Sequence, residues 1–374
     1  MKIWVKGLGP IKEAEVELKP LTIFIGKNKT GKSYFLRFLS IIFQKPLLHL
    51  GRVQERKISD FEIFLEYFET SITREEIINV EGLKIEDFEV PLYKKIEEKW
   101  ILKISINKKI HKEKRSEILR EAIKENIKFN FVYYLPSSRS GILLLIRPLT
   151  KIEMGIYYKL KQISEEQAEK LDDIMRTNLP WSIYSYYKGI SSVIREAGTF
   201  DFNKFGKFLV KQGEIYYEEK EAIPFFNISS GLQELFPILY LMKMEAEESL
   251  FLIDEPESHL HPEWQVELAK EIVTNVKENN NWFVLSTHSD IFFLALISEV
   301  LEGLKNKKGE IKKEEIDKFL AIYLFKEDGT VEKIDLTEEG LTNEQWSEIN
   351  SELLGKYIEL IQGIRSENNN DRRR

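Results

Sequence analysis

Residues 26–33 read Gly26-Lys27-Asn28-Lys29-Thr30-Gly31-Lys32-Ser33, a GxxxxGK[ST] run between an apolar stretch, Leu21 to Ile25, and a segment of helical periodicity, Lys32 to Phe43. That arrangement constrains the fold more than any other feature of the chain. The glycines let backbone N–H groups wrap a phosphate, the following helix directs its positive end at the same place, and Lys32 reaches terminal phosphate oxygens while Ser33 offers a hydroxyl to Mg²⁺. The pattern requires a strand–loop–helix unit inside a parallel sheet. In the helix Phe35, Leu39, Ile42 and Phe43 share a buried face, and Arg37 and Ser40 are expected to look outward.

Two further apolar runs end in chemistry. Leu250-Phe251-Leu252-Ile253-Asp254-Glu255 is written as a buried parallel strand with two carboxylates at its C-terminal edge, where ligands of α/β sheets bind. Asp254 is placed to share a Mg²⁺ shell with Ser33, and Glu255 to orient or deprotonate an attacking water. Trp282-Phe283-Val284-Leu285-Ser286-Thr287-His288-Ser289-Asp290 is a second such strand, bringing His288 to the same edge as a γ-phosphate sensor. Ser286, His288 and Asp290 are nearly contiguous and lack a nucleophile turn, so a Ser-His-Asp triad is not expected. His259 and His261 have strand spacing in a loop without HExxH, and read as hydrogen-bonded structural histidines rather than metal ligands. Ser229-Ser230-Gly231 precedes an apolar helix from Leu232 whose free N–H groups offer an anion site; Pro237 falls early in that helix, where it can kink it.

Taken together, these segments and the run Asp254-Glu255-Pro256-Glu257-Ser258-His259-Leu260-His261-Pro262 resemble the ABC-type ATPases of the SMC/RecF/OLD group. They look most like small prokaryotic OLD-like "AAA family ATPase" proteins, in which a Pro-Ser-Ser-Arg segment such as Pro136 to Arg139 recurs. The fold implied is an α/β ABC-type P-loop NTPase: a doubly wound, mainly parallel sheet with an antiparallel N-terminal portion and an inserted helical lobe. Implied ligands are ATP and Mg²⁺, with Gly26 to Ser33 and Ser229-Ser230-Gly231 as nucleotide contacts, Ser33 and Asp254 as metal ligands, and Lys32, Glu255 and His288 as catalytic groups. The resemblance also implies head-to-tail homodimers with two ATPs at the interface. Glu257 and Ser258 then form the loop crossing between protomers, and the Pro136 to Gly141 loop with Arg139 takes the place of the usual glutamine loop, for whose sensor Gln162 is poorly placed. Ser229-Ser230-Gly231 departs from the transporter signature in lacking its second glycine.

Boundaries follow from shifts in pattern. Residues 1–50 and 98–140 are read as the N-terminal part of the nucleotide-binding lobe, 51–97 as a helical insertion, and 141–231 as a helical lobe. Residues 232–338 complete the nucleotide-binding lobe with βα alternation and a Glu327-Asp328-Gly329 hairpin, 339–366 form a C-terminal helix, and 367–374 a disordered tail. Zero cysteines exclude disulfides, thiolate metal sites and cysteine nucleophiles. The longest apolar runs, Gly141 to Ile146 and Ile291 to Ile297, are far short of the roughly 18 residues of a membrane span. With an N-terminus that turns polar at once, a cytoplasmic location is expected.

The net charge of −7 argues against bulk attraction to nucleic acid, while basic stretches such as Lys108 to Arg115 leave a local DNA groove open. About 85 residues follow His288, and they carry no pattern of a metal-dependent nuclease. The resemblance therefore implies an ATP-driven switch whose output lies in DNA or a separately encoded effector protein. The competing readings are the energy-coupling subunit of a transporter and a nucleotide-gated module with negligible turnover.

Overall fold

A computed structural model of the chain describes residues 2–40, 43, 82–85, 94–96, 99–101, 129–141, 186, 198–211, 214–244, 248–305, 311–337 and 340–341. The antiparallel pair β1 (Lys2–Leu8) and β2 (Ile11–Glu17) opens the chain, followed by β3 (Leu21–Ile25) and helix α1 (residues 32–40). Strand β4 (Gly82–Ile85) pairs antiparallel with β1, and β5 (Lys94–Ile96) with β6 (Lys99–Ile101). After β7 (Phe131–Leu135) come β8 (Gly198–Asp201), β9 (Lys207–Lys211), β10 (Glu214–Glu218) and β11 (Ala222–Pro224), then helix α2 (Ser230–Met244). Next are β12 (Ser249–Asp254), α3 (Pro262–Asn279), β13 (Trp282–Ser286), α4 (Asp290–Leu304), α5 (Lys313–Phe319) and the hairpin of β14 (Leu320–Phe325) and β15 (Val331–Ile334). The chain divides into two compact units, 1–332 and 333–374; in the second, Leu336–Thr337 pairs antiparallel with Gly340–Leu341.

The central sheet has the order β15-β14-β3-β13-β12-β7, and β14, β3, β13, β12 and β7 are mutually parallel in succession. Strands covered on both faces cannot alternate polar and apolar residues, and β3, β12 and β14 are buried at every position. Their registers set Asp254 opposite Ser286, and Ser286 opposite Phe24, so the C-terminal ends of β12, β13 and β3 finish level with one another. Phe251 and Phe283 stack across β12 and β13, with ring centroids 4.8 Å apart and planes 12° apart. Helix α3 starts with Pro262 at its first turn, where a missing N–H costs nothing, and ends at Asn280 in the left-handed region. It buries Leu268, Ala269, Ile272, Val273 and Val276 as one apolar stripe. The fold is α/β of the P-loop NTPase type, a doubly wound parallel sheet with an antiparallel N-terminal sheet beside it.

Several local expectations are corrected. Ser40 is fully buried rather than outward-facing, because its hydroxyl donates to the Arg37 carbonyl at 2.7 Å and so needs no water. Helix α2 begins at Ser230, two residues earlier than Leu232, and runs through Pro237 to Met244 without a break. Within the helical lobe expected over 141–231, strands within 198–211 and 214–224 instead form an antiparallel sheet of order β11-β10-β9-β8. The period-two burial of Lys207–Lys211 outweighs the helical pattern of the longer window around it. Of the span 51–97 expected to be helical, the described residues are strands β4 and β5. Of the expected C-terminal helix only Gly340–Leu341 is described, and it is extended. The basic stretch 108–115, Gln162 and the tail lie outside the described residues. Among the described residues, no helix is long and apolar enough to cross a membrane.

Replacing Phe283 by Ala removes a ring that is wholly buried between parallel strands. The variant should lose about 3–5 kcal/mol of stability, read as a lower urea midpoint in chemical unfolding.

Candidate functional site

The loop between β3 and α1 is shaped by contacts that leave no room for a side chain. At Gly26 φ is +130°, and a Cβ there would sit 2.3 Å from the carbonyl oxygen of Phe325 on β14. Gly31, at φ +104°, packs against the Ile11 side chain, which would lie 2.7 Å from an added Cβ. Both glycines are therefore required by backbone conformation and by close approach. Lys32 is buried, and its ammonium donates to the carbonyls of Gly26 and Lys27, 2.7 Å each, folding back across the loop. Burial pulls its pKa down to about 8, against the opposing pull of Asp254, Glu255 and Glu257.

Asp254 closes the last turn of β12. Its Oδ1 accepts from the Ser33 hydroxyl at 2.9 Å and from the Ser286 hydroxyl, so one carboxylate oxygen joins the phosphate loop, β12 and β13. Ser33 and Asp254 supply hard oxygen donors side by side, a donor chemistry that would suit Mg²⁺. Among the described residues no group of three or more His, Asp and Glu is arranged to cage a metal by itself. The donor set thus fits a nucleotide-bound Mg²⁺, which these two residues would hold.

Glu255 follows with φ of +48°, an uncommon conformation for a non-glycine residue, held by its N–H donating to the Ser286 carbonyl at 3.0 Å. Its carboxylate is half-exposed, accepts from the Ser258 hydroxyl at 3.2 Å, and lies 3.8 Å from Nε2 of His288. Burial, and secondarily the Lys32 ammonium, hold the His288 pKa below the usual histidine value, so at neutral pH its imidazole is uncharged. Ser289 caps α4, its side chain accepting from the Phe292 N–H at 3.2 Å. At the N-terminal end of α2, the Ser229 side chain accepts from the Leu232 N–H at 3.4 Å, and Gly231 approaches the His259 carbonyl.

Two expectations for neighbouring residues change. Glu257 does not project as a crossing loop: it is buried, and its Oε1 accepts from the Thr287 hydroxyl at 2.6 Å and the His288 N–H at 3.0 Å. Burial raises its pKa above the usual carboxylate value. It ties the turn after β12 to the end of β13. Arg139 is wholly buried and is no phosphate sensor, because its guanidinium is directed at protein carbonyls. It donates to Pro136, Asp254 and Glu234 carbonyls at 2.9, 2.9 and 3.0 Å and to the Glu255 carbonyl at 3.1 Å, and pairs with the Glu234 carboxylate at 3.2 Å. Sequence reasoning did not single out Glu234; the available signal was an acid within the apolar run of α2, which demands a buried cationic partner.

A model of the family described as "AAA ATPase domain" matches residues 1–171, and one described as "AAA domain, putative AbiEii toxin, Type IV TA system" matches residues 150–295. No curated protein matches the chain. Among solved structures, the Smc head bound to the C-winged helix domain of ScpA aligns over 90% of this chain and 97% of its own, at 14% identity and a TM-score of 0.40. A dimeric, post-hydrolysis ATP-binding cassette bound to ADP and Pi aligns over 90% and 99%, at 12% identity and 0.35. An SMC head domain from Thermotoga maritima aligns over 90% and 98%, also at 12% and 0.35. With the phosphate loop, the parallel sheet and the ATPase-domain matches in hand, the chain is a P-loop ATPase that binds and hydrolyses ATP.

The depressed Lys32 pKa carries a definite sign. In the free protein the ammonium loses its proton as pH rises through about 8, whereas a bound triphosphate favours the charged form. ATP binding should therefore take up a fraction of a proton at pH 8.5 and almost none from Lys32 at pH 6.5, with affinity falling above pH 8. Calorimetry in buffers of different ionisation enthalpy measures this uptake directly.

Proposed function

We propose that the protein is an ATP-driven head-to-tail dimer acting as a switch, with one ATP between the phosphate loop of each protomer and the Ser229-Ser230-Gly231 helix end of the other. In this reading the backbone of Gly26 to Ser33 cradles the phosphates and Lys32 leaves the loop carbonyls for the terminal phosphate oxygens. Ser33 and Asp254 hold Mg²⁺, which offsets phosphate charge when bound. Glu255 orients the attacking water and accepts its proton, and neutral His288 hydrogen-bonds the γ-phosphate. The observation that carries the reading is the convergence of Lys32, the Ser33–Asp254 pair, Glu255 and His288 at one edge of the parallel sheet. Glu255 has a half-exposed carboxylate whose hydrogen-bonding partners within the chain still leave it free to meet a ligand.

The start of α2 supports the dimeric part of the proposal. It packs against the His259 carbonyl, beyond the acidic turn, and its leading N–H groups suit a phosphate supplied from outside the protomer. The output would pass to DNA or to a separately encoded effector in genome maintenance or anti-phage defence. The toxin–antitoxin wording of the family matching 150–295 supports the defence branch.

Two variants test the chemistry. Glu255→Gln preserves the shape of the site while removing the base. It should bind ATP, turn over at least about 10²-fold more slowly, and accumulate as dimer in light scattering with ATP. Lys32→Ala should lose ATP binding itself, measured by equilibrium titration. Wild-type turnover in Glu255→Gln would remove Glu255 from the mechanism, and a monomer in saturating ATP would remove the dimer. Stimulation of steady-state ATP turnover by linear duplex DNA at low salt would assign the output to DNA, whereas indifference to DNA would assign it to a protein effector.

A further inference from the structure

Arg139 joins two parts of the molecule that the ATPase reaction treats separately. The Glu234 carboxylate, on the first turns of α2, accepts from the backbone N–H of Arg139 and of Ser140, 3.0 Å each, and from the Ser140 hydroxyl at 2.6 Å. The guanidinium then reaches the other way, to the carbonyls of Asp254 and Glu255 at the end of β12. Arg139 and Glu234 are both essentially without solvent contact. Four of the guanidinium's five N–H groups are thus assigned to acceptors on three separate elements. A buried cation cannot release one of these carbonyls without leaving an unpaired N–H where no water can replace it. A shift of α2 along this contact must therefore be carried into the Asp254–Glu255 peptide. The residue at the receiving end is Glu255, whose positive φ persists only because its surroundings fix it.

We infer that Arg139 is a positioning residue for ATP hydrolysis, a strut through which the placement of α2, and so the state of the Ser229-Ser230-Gly231 helix end, sets the backbone of Glu255. The inference rests on the reading of Glu255 as the group that activates water. Arg139 touches no substrate; it acts by holding the Glu255 carbonyl and, through Glu234, by binding that carbonyl's position to the helix. Pro136 and Ser140 fix the strut at its root, and the Tyr186 hydroxyl donates to the Arg139 carbonyl at 3.4 Å.

The test is Arg139→Lys, which keeps the charge and loses the planar fork. The expected result is ATP affinity and ATP-dependent dimerisation within about twofold of wild type, with kcat lowered by about 10²-fold, the cost of a reacting group misplaced by an ångström. A purely structural role would instead lower kcat only in proportion to the folded fraction, read by thermal unfolding of the same sample, and that outcome overturns the inference. Unchanged kcat in a folded Arg139→Lys protein also overturns it. Should Arg139→Lys not fold, the double variant Arg139→Met/Glu234→Gln decides by the same criteria, since it removes both buried charges while keeping an acceptor for the Ser140 N–H. Glu255→Gln serves as the control. If it retains turnover, the reading of Glu255 has failed and the inference falls with it. If it is slow while the Arg139 variants retain kcat, only the strut is overturned.

Discussion

One carboxylate oxygen holds the site together. Oδ1 of Asp254 accepts from Ser33, at the start of α1, and from Ser286, at the end of β13. It can do so only because β12, β13 and β3 are parallel and finish in register. A phosphate loop alone would bind an anion anywhere a helix begins. The shared hydrogen bonds instead pin that loop to the strand that carries the acids, so Ser33, Asp254, Glu255 and His288 occupy one sheet edge. Parallel pairing requires crossover connections and burial of both faces, which is why the strands that matter here are unbroken apolar runs ending abruptly in polar residues.

Electrostatics at this edge are arranged for arrival of a strongly anionic ligand. Lys32 is buried far enough to depress its pKa to about 8, yet it remains a cation at neutral pH, occupied by two loop carbonyls. Carbonyl dipoles stabilise an ammonium less than phosphate oxygens do, so a triphosphate can displace them. His288 is held neutral by burial and by that same lysine, which suits it to hydrogen-bond a phosphate without adding another fixed charge. Glu257, buried behind both, holds the backbone on which His288 is carried. Each of these groups is tuned by its neighbours in space rather than by those in sequence.

Beneath this edge lies a second buried layer, the Arg139–Glu234 pair. Pairs of this kind contribute little net stability, because desolvation offsets most of the Coulomb attraction. Their value here is geometric: the guanidinium fork fixes directions, and carbonyls from the loop after β7, from α2 and from the acidic turn share one cation. That arrangement makes the start of α2 and the Glu255 turn parts of one body.

How much of this was legible beforehand depends on whether the signal is local. The strands Leu21 to Ile25 and Trp282 to Ser286 match the structure residue for residue, because a buried parallel strand writes its whole length as an apolar run. Gly26 to Ser33, Asp254, Glu255 and His288 were legible for the same reason: each closes such a run. Residues 198–224 were misjudged as helical, since short antiparallel strands compete poorly with helical periodicity in a window many times their length. Ser40, Glu257 and Arg139 were misplaced because a polar residue's burial depends on the partner it meets, and those partners lie in the Arg37 backbone, at Thr287 and His288, and on α2 and β12. The sequence by itself therefore determined a P-loop α/β fold and which polar residues end its parallel strands, through patterns a few residues long. Only the tertiary structure decided which charged residues stay partly exposed at the sheet edge and which brace the frame, because that choice depends on desolvation and on hydrogen-bond partners 30 to 115 positions away along the chain.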